Sequence, residues 1–312
     1  MTDPGTVPSA PLAALRRELL VRYLDAWVPT ALRHARHACY LDGFATPATA
    51  TAALQVFGEF ADLLARRTLA VRLGARDAAR AAALNRAVGA VRDRGGVPTG
   101  LTVEVAVRPP GAAPAPPDPV DGPLLGYLDA TADAGAGPPT PAELTALLGG
   151  DCGEVILVVA GDGAGAEGCR AALAAAGAGL LAAVELVAED GATETLLFGT
   201  DAPRALDAFK DALWAVDEYA GVRYRDPRDA DRALLDISLT PHPGPLRRAL
   251  LAHLHAAGGR TVTQLKRYAV AETIYRATDV TRALTVLLAS GAVRREPQRG
   301  RLTGEVHITL AR

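Results

Sequence analysis

The sequence predicts an α/β protein built on an open, largely parallel sheet, followed by a small helical unit that ends in a basic hairpin. Three observations carry this expectation. Apolar runs of strand length alternate with stretches of helical periodicity from about residue 38 to residue 216. One run, Glu154–Ala160, is apolar almost throughout, as a strand covered on both faces must be. From Leu246 onward the pattern changes to short helices and two closing strands, and the charge turns basic. Of 33 Lys+Arg and 35 Asp+Glu in the chain, Leu246–Arg312 holds 12 and 4, a net of +8, which leaves −10 for the rest.

In order, Leu12–Arg36 reads as a helix, with Leu15, Leu19, Leu20, Tyr23 and Trp27 at helical spacing. Ala38–Asp42 is a strand, Thr51–Ala65 a helix, Leu69–Leu73 a strand, Ala78–Val91 a helix and Leu101–Val107 a strand. Pro109–Pro123 is a Pro/Ala loop. Leu124–Asp129 (strand), Pro141–Leu148 (helix), Glu154–Ala160 (strand) and Gly165–Ala176 (helix) follow. Ala183–Ala188 and Glu194–Gly199 flank Asp190-Gly191 as a hairpin, and a helix runs from Ala202 to about Val216. Tyr219–Gly244 reads as a Pro- and Asp-rich connection. Beyond it come a helix over Leu246–Ala257, a short helix capped by Thr263, and a third opened by Thr278 or Asp279 with Val280, Leu284, Leu287 and Leu288 on one face. Strands Ala292–Glu296 and Leu302–Leu310 enclose a Pro297–Gly300 turn. The expected organisation is a Rossmann-like domain over 1–218, a linker over 219–244 and a winged helix-turn-helix domain over 245–312. A parallel sheet closed by an antiparallel hairpin is the layout of the class I methyltransferase sheet.

The 312 residues suffice for two domains, and 49% are apolar, so a large core is affordable. Aromatics make up 4%, which leaves that core to Ala, Val and Leu. Lysine occurs only at Lys210 and Lys266, with arginine used elsewhere, a bias expected of a high-GC bacterial genome. Met1–Pro11 lacks the basic and apolar regions of a signal peptide, and the Ala171–Val184 run is too short and too glycine-interrupted to span a bilayer. A cytoplasmic location without membrane contact is expected. Cys39, Cys152 and Cys169 have no CxxC spacing, which speaks against a disulfide framework or zinc site. His253 and His255 fall on different faces of one helix, and His34 and His37 lack a Cys or acid partner nearby in sequence, so no metal is expected. No P-loop and no Gly-x-Ser-x-Gly elbow is present.

The stretch Tyr40–Ala48 reads as a strand running through a tight loop into a helix, the junction where an α/β sheet receives a nucleotide-like cofactor. Asp42 and Asp129 end adjacent strands at the edge where such sheets bind ligands. They are candidates to hold an amino group, or else to cap the next helix. Gly43 fits a position with restricted backbone geometry, and Phe44 fits either the core or a stacking contact.

The Tyr40–Ala48 stretch, the lead-in Leu15–Trp27, the strand Gly153–Leu157 and the run Gly199–Arg204 leading into Lys210–Asp217 together resemble the three-Cys-motif partner (TcmP) family. The resemblance covers nearly the whole chain. It implies a class I methyltransferase-like fold, S-adenosylmethionine as the cofactor, and a separately encoded partner that carries the three cysteines. Cys39, Cys152 and Cys169 are not that motif. The family pattern would place glycines at Thr46 and Ala48, where side chains here crowd the cofactor path. No acid ends the strand Leu69–Leu73 to meet a ribose; Asp77 is the nearest. After the fourth strand, Asp129-Ala130-Thr131-Ala132 keeps only the aspartate of the family motif.

Cofactor contact is therefore expected, if anywhere, at Asp42, Gly43, Phe44, Thr46, Asp77 and Asp129. Nucleic-acid contact is expected at Arg276, Thr281, Arg282, Arg294, Arg295, Arg299 and Arg301, with Thr281 and Arg282 toward base edges and Arg299 and Arg301 at the wing tip toward phosphate. The leading expectation is a methyltransferase-like protein with an eroded cofactor site and a nucleic-acid-binding winged helix, acting as accessory subunit to a partner enzyme. The rivals are an active methyltransferase acting on nucleic acid, with Asp77 meeting the ribose, and a protein-interaction module.

Overall fold

The computed structural model describes residues 10–108, 122–132, 138–150, 152–163, 166–216 and 221–311. The chain is a mixed α/β structure with a large central sheet. The helices are α1 (Ala10–His34), α2 (Pro47–Glu59), α3 (Ala61–Leu64), α4 (Ala78–Asp93), α5 (Pro141–Leu148), α6 (Glu167–Ala175), α7 (Pro203–Ala215), α8 (Gly244–Ala257), α9 (Val262–Glu272) and α10 (Ala277–Ala289). Strands β1 (His37–Asp42), β2 (Thr68–Ala75), β3 (Leu101–Val107), β4 (Leu124–Asp129), β5 (Gly153–Ala160), β6 (Leu180–Ala188), β7 (Thr193–Thr200), β8 (Val222–Arg225) and β9 (Leu234–Asp236) form one sheet. Its order is β3-β2-β1-β4-β5-β7-β6-β8-β9. The strands from β3 to β5 are parallel and the rest antiparallel. A second sheet, β10-β12-β11, joins β10 (Arg260–Thr261), β11 (Val293–Glu296) and β12 (His307–Leu310).

Strand side chains alternate between faces. Tyr40, Tyr127, Ile156 and Phe198 pack with α1, α2, α4 and α7. Leu41, Leu128, Leu157 and Leu197 pack with α5 and α6 on the other face. By the same parity Asp42, Asp129, Glu154 and Glu194 all lie on the α1 side. Strand order reverses between β1 and β4, and Asp42 and Asp129 are their last residues, so both stand at the switch point. Glu194 opposes Ala160, the last residue of β5, and so joins them at the same edge.

Several element boundaries differ from expectation. α2 starts at Pro47 because Thr46 caps it: the Thr46 hydroxyl accepts from the Thr49 N–H, Thr49 answers toward the Thr46 N–H, and proline fills the first turn. The expected continuous helix to Ala65 breaks at Phe60 into α2 and α3. β6 begins at Leu180, three residues before the expected start. The expected linker 219–244 contributes two short strands, β8 and β9, to the sheet. α9 is capped by Thr261 rather than Thr263, with Gln264 completing the box. Residues 109–121 of the expected Pro/Ala loop, and Gly165 at the expected start of α6, lie outside the described residues. No helix among the described residues is long and apolar enough to cross a membrane.

Candidate functional site

The end of β1 is built by short-range polar contacts. Asp42 is fully buried. Its Oδ1 accepts from the Phe44 N–H at 3.2 Å and its Oδ2 from the Thr49 hydroxyl at 2.7 Å. The aspartate thus ties the loop to the first turn of α2. Burial pushes its carboxyl up to about 7, against the pull of the Thr49 hydrogen bond and with further help from the charge of Asp129. Gly43 donates its N–H to the Tyr127 carbonyl at 2.9 Å, which ties the loop to β4. Phe44 is buried with Leu41 and Leu128, and the Arg108 guanidinium lies 4.3 Å from its ring centroid.

Asp129 faces an arginine that sequence reasoning did not single out. Arg16, on α1 and 4% exposed, places its Nε 3.2 Å from Asp129 Oδ2 and hydrogen-bonds Glu194 through Nη1. Asp129 Oδ1 also accepts from the Thr131 N–H at 3.1 Å and the Thr131 hydroxyl at 2.6 Å. Burial opposes the charge on Arg16, but Asp129, Tyr127 and Glu194 outweigh it and raise its pKa. Burial likewise raises Glu194, against the pull of Arg16. Two turns along α1, the Tyr23 hydroxyl donates to Glu154 at the opposite edge of the sheet. Helix α1 is therefore pinned to the sheet by buried carboxylates at two points two turns apart.

Asp77 caps α4: its Oδ1 accepts from the Arg80 N–H at 2.6 Å, and Arg76 lies 3.1 Å from Oδ2. The Arg80 N–H bond holds its carboxyl below the ordinary range. Asp42, Thr46, Asp77 and Asp129 are all engaged by neighbouring protein groups. Asp42 and Asp129 are buried among these partners, whereas Asp77 is exposed and its carboxylate oxygens keep open acceptor positions.

The C-terminal arginines divide into two sets. Arg276 donates to Asp279 at 3.1 Å and to the Leu239 carbonyl at 2.7 Å, and Arg282 donates to Asp279 at 2.9 Å. Arg295 holds the β11–β12 loop through the carbonyls of Pro297, Gly300 and Arg301, at 2.8–3.2 Å. Thr281 is half-buried on α10. Arg294, Arg299 and Arg301 are exposed and have no ion-pair partner among the described residues. The structure thus gathers a small free basic group on the hairpin rather than a basic α10.

Lys210 is a second residue whose role sequence reading missed. It is fully buried on α7, and its ammonium donates to the carbonyls of Ala269, Val270, Thr273 and Tyr275 at 2.5–3.3 Å, closing the C-terminal end of α9. Trp214, one turn on, donates to the Ile274 carbonyl at 3.0 Å. Burial pulls Lys210 down to about 7, and Asp226, Asp207, Asp279 and Glu272 pull it back up. The available signal was its rarity. A lysine kept among arginines fits a site where one compact charge must meet several carbonyls, which a planar guanidinium cannot do.

No family model matches the sequence, and no curated protein matches it. Among solved structures it is similar to EvdMO1, at 13% identity and a TM-score of 0.38, over 66% of this chain and 44% of that one. The chain therefore spans less than half the length of EvdMO1, and the overlap carries no argument about function.

Proposed function

We propose that this chain is a cytoplasmic, non-catalytic TcmP-like protein: a class I methyltransferase-type sheet whose cofactor crevice is filled by its own side chains, joined to a winged helix that binds nucleic acid. It would serve as accessory subunit to a partner enzyme, with a three-cysteine protein as the expected partner. The observation that carries the reading is Arg16, which bridges Asp129 and Glu194 beside the strand switch point, where a ligand of such a sheet would sit. The winged-helix reading is supported by the order α8-β10-α9-α10-β11-β12 and by the exposed Arg294, Arg299 and Arg301.

Two measurements test the two halves. Titrating S-adenosylhomocysteine into the full-length protein should release no heat and leave the melting temperature unchanged. One-site micromolar binding would restore the enzyme reading. A labelled 20-base-pair duplex should bind at low salt and lose most of its affinity in the Arg299→Glu, Arg301→Glu double variant. Undiminished binding would remove the hairpin from the interface.

A further inference from the structure

Helices α8 and α9 carry an open face beside β10, bordered by Arg228 of the β8–β9 connection, which donates to the Ala271 carbonyl at 2.8 Å. Leu250 and Leu254 turn inward from α8, and Leu265 and Ala269 from α9. That leaves His253 and Tyr268 on the flanks, where their rings stack with centroids 3.9 Å apart and planes 20° from parallel. Gln264, Arg267, Tyr268 and Ala271 recur at helical spacing along one side of α9. With His253 and Arg260 they line an open groove of about 620 Å³.

The chemistry of this groove is one-sided. Arg267 is exposed, Arg260 half-buried, and Arg260 spends one guanidinium nitrogen on the Gly259 carbonyl at 2.9 Å. Gln264 uses its oxygen to accept from the Thr261 N–H, and its amide NH₂ has no partner among the described residues. The acid lining the groove, Glu272, is already paired with Arg228 at 2.9 Å. Burial and the charge of Arg260 lower the pKa of His253, against the pull of Glu272. The groove thus offers donors and positive charge beside a flat aromatic pair, and its acid is spent elsewhere.

We infer that the α8–α9 groove binds an unpaired nucleic-acid strand, with phosphates at Arg260 and Arg267 and a base against the His253–Tyr268 stack. An intact duplex hides its base faces, whereas an unpaired strand presents one at every nucleotide. The residues concerned are distinct from Arg294, Arg299 and Arg301, so this surface adds to the proposed duplex contact and fails or stands separately from it.

The test is fluorescence anisotropy of labelled (dT)12 and (rU)12 with the full chain at low salt, beside the labelled duplex. Arg260→Glu with Arg267→Glu should weaken the single strands at least tenfold and leave duplex affinity within about twofold. Tyr268→Leu should weaken them by about tenfold through lost stacking. Arg299→Glu with Arg301→Glu should do the reverse. If Arg260→Glu with Arg267→Glu proves unstable by thermal melting, Arg267→Gln alone serves, with an expected loss of about threefold. Single-strand affinity unchanged in these variants overturns the proposal. So does displacement of (dT)12 by polyglutamate at equal charge, which would reduce the groove to a general anion surface.

Discussion

At the residue scale, the end of β1 turns on one buried acid. An unfolded chain releases the Asp42 proton near its ordinary 3.8, whereas the folded chain holds it to about 7. Between those values the folded state binds more protons, so this residue makes stability fall as pH rises. Below the window its effect vanishes, and above it the cost of the buried charge is complete, on the order of 4 kcal/mol as a ceiling. Glu154, pushed by burial to about 7, and Asp226, pushed by burial to about 6, act with the same sign. The variant Asp42→Asn should therefore show a shallower loss of stability between pH 4 and pH 7 in urea unfolding, with the residual slope left to Glu154 and Asp226. An unchanged slope would mean that Asp42 is ionised throughout. Asp42 and Asp129 were legible in the sequence as strand-end acids. The ion-pair partner of Asp129 was less so, because Arg16, shared with Glu194, lies far from it along the chain, and no local spacing announces a pairing that only the packing of α1 creates.

At the scale of elements, two helices do work that their amphipathic patterns do not reveal. α1 reads in sequence as an apolar stripe, and Leu15, Leu19, Leu20, Tyr23 and Trp27 are all buried as that stripe requires. Arg16 and Tyr23 add polar anchors at either edge of the sheet. α7 carries Lys210–Ala215, part of a run whose resemblance to a family motif suggested significance without a role. Within it, Lys210 and Trp214 grip the turn between α9 and α10 and so fix the C-terminal helices to the sheet domain. Lys210→Met would strand the carbonyls of Val270, Thr273 and Tyr275 at a helix end, while that of Ala269 keeps its bonds from Thr273. Urea unfolding should show a loss of about 3 kcal/mol or more. Lys210→Arg should also destabilise the fold, because the planar guanidinium cannot reach all four oxygens from one point. Stability equal to wild type in both variants would refute the clamp. The strands β8 and β9 escaped notice for a different reason. β8 does alternate, with Val222 and Tyr224 buried between Arg223 and Arg225, but over four residues only, and the three-residue edge strand β9 pairs with β8 alone, so both are too short to stand out from a Pro- and Asp-rich stretch.

At the scale of the whole molecule, a net charge of −2 gives no reason to expect a polyanion as partner. The segregation does: the −10 carried by the first 245 residues repels nucleic acid, while the +8 of the C-terminal segment attracts it, so any contact is steered to one end. Within that end, Arg276 and Arg282 share the single carboxylate of Asp279, and Arg295 is spent on backbone carbonyls. Of the six arginines expected to meet nucleic acid, that leaves Arg294, Arg299 and Arg301, all on the hairpin, without an ion-pair partner among the described residues. Each phosphate contact on duplex DNA contributes about −0.9 to the slope of log affinity against log salt. Three contacts predict a hairpin contribution of roughly −3, and removing Arg299 and Arg301 by mutation to glutamate should cut the measured slope by about 2. A wild-type slope much steeper than −3, left intact by the double variant, would move the phosphate contacts to α9 and α10 and make the hairpin incidental. A slope that collapses with the hairpin charges would tie duplex binding to Arg299 and Arg301, and leave the α8–α9 groove free for an unpaired strand.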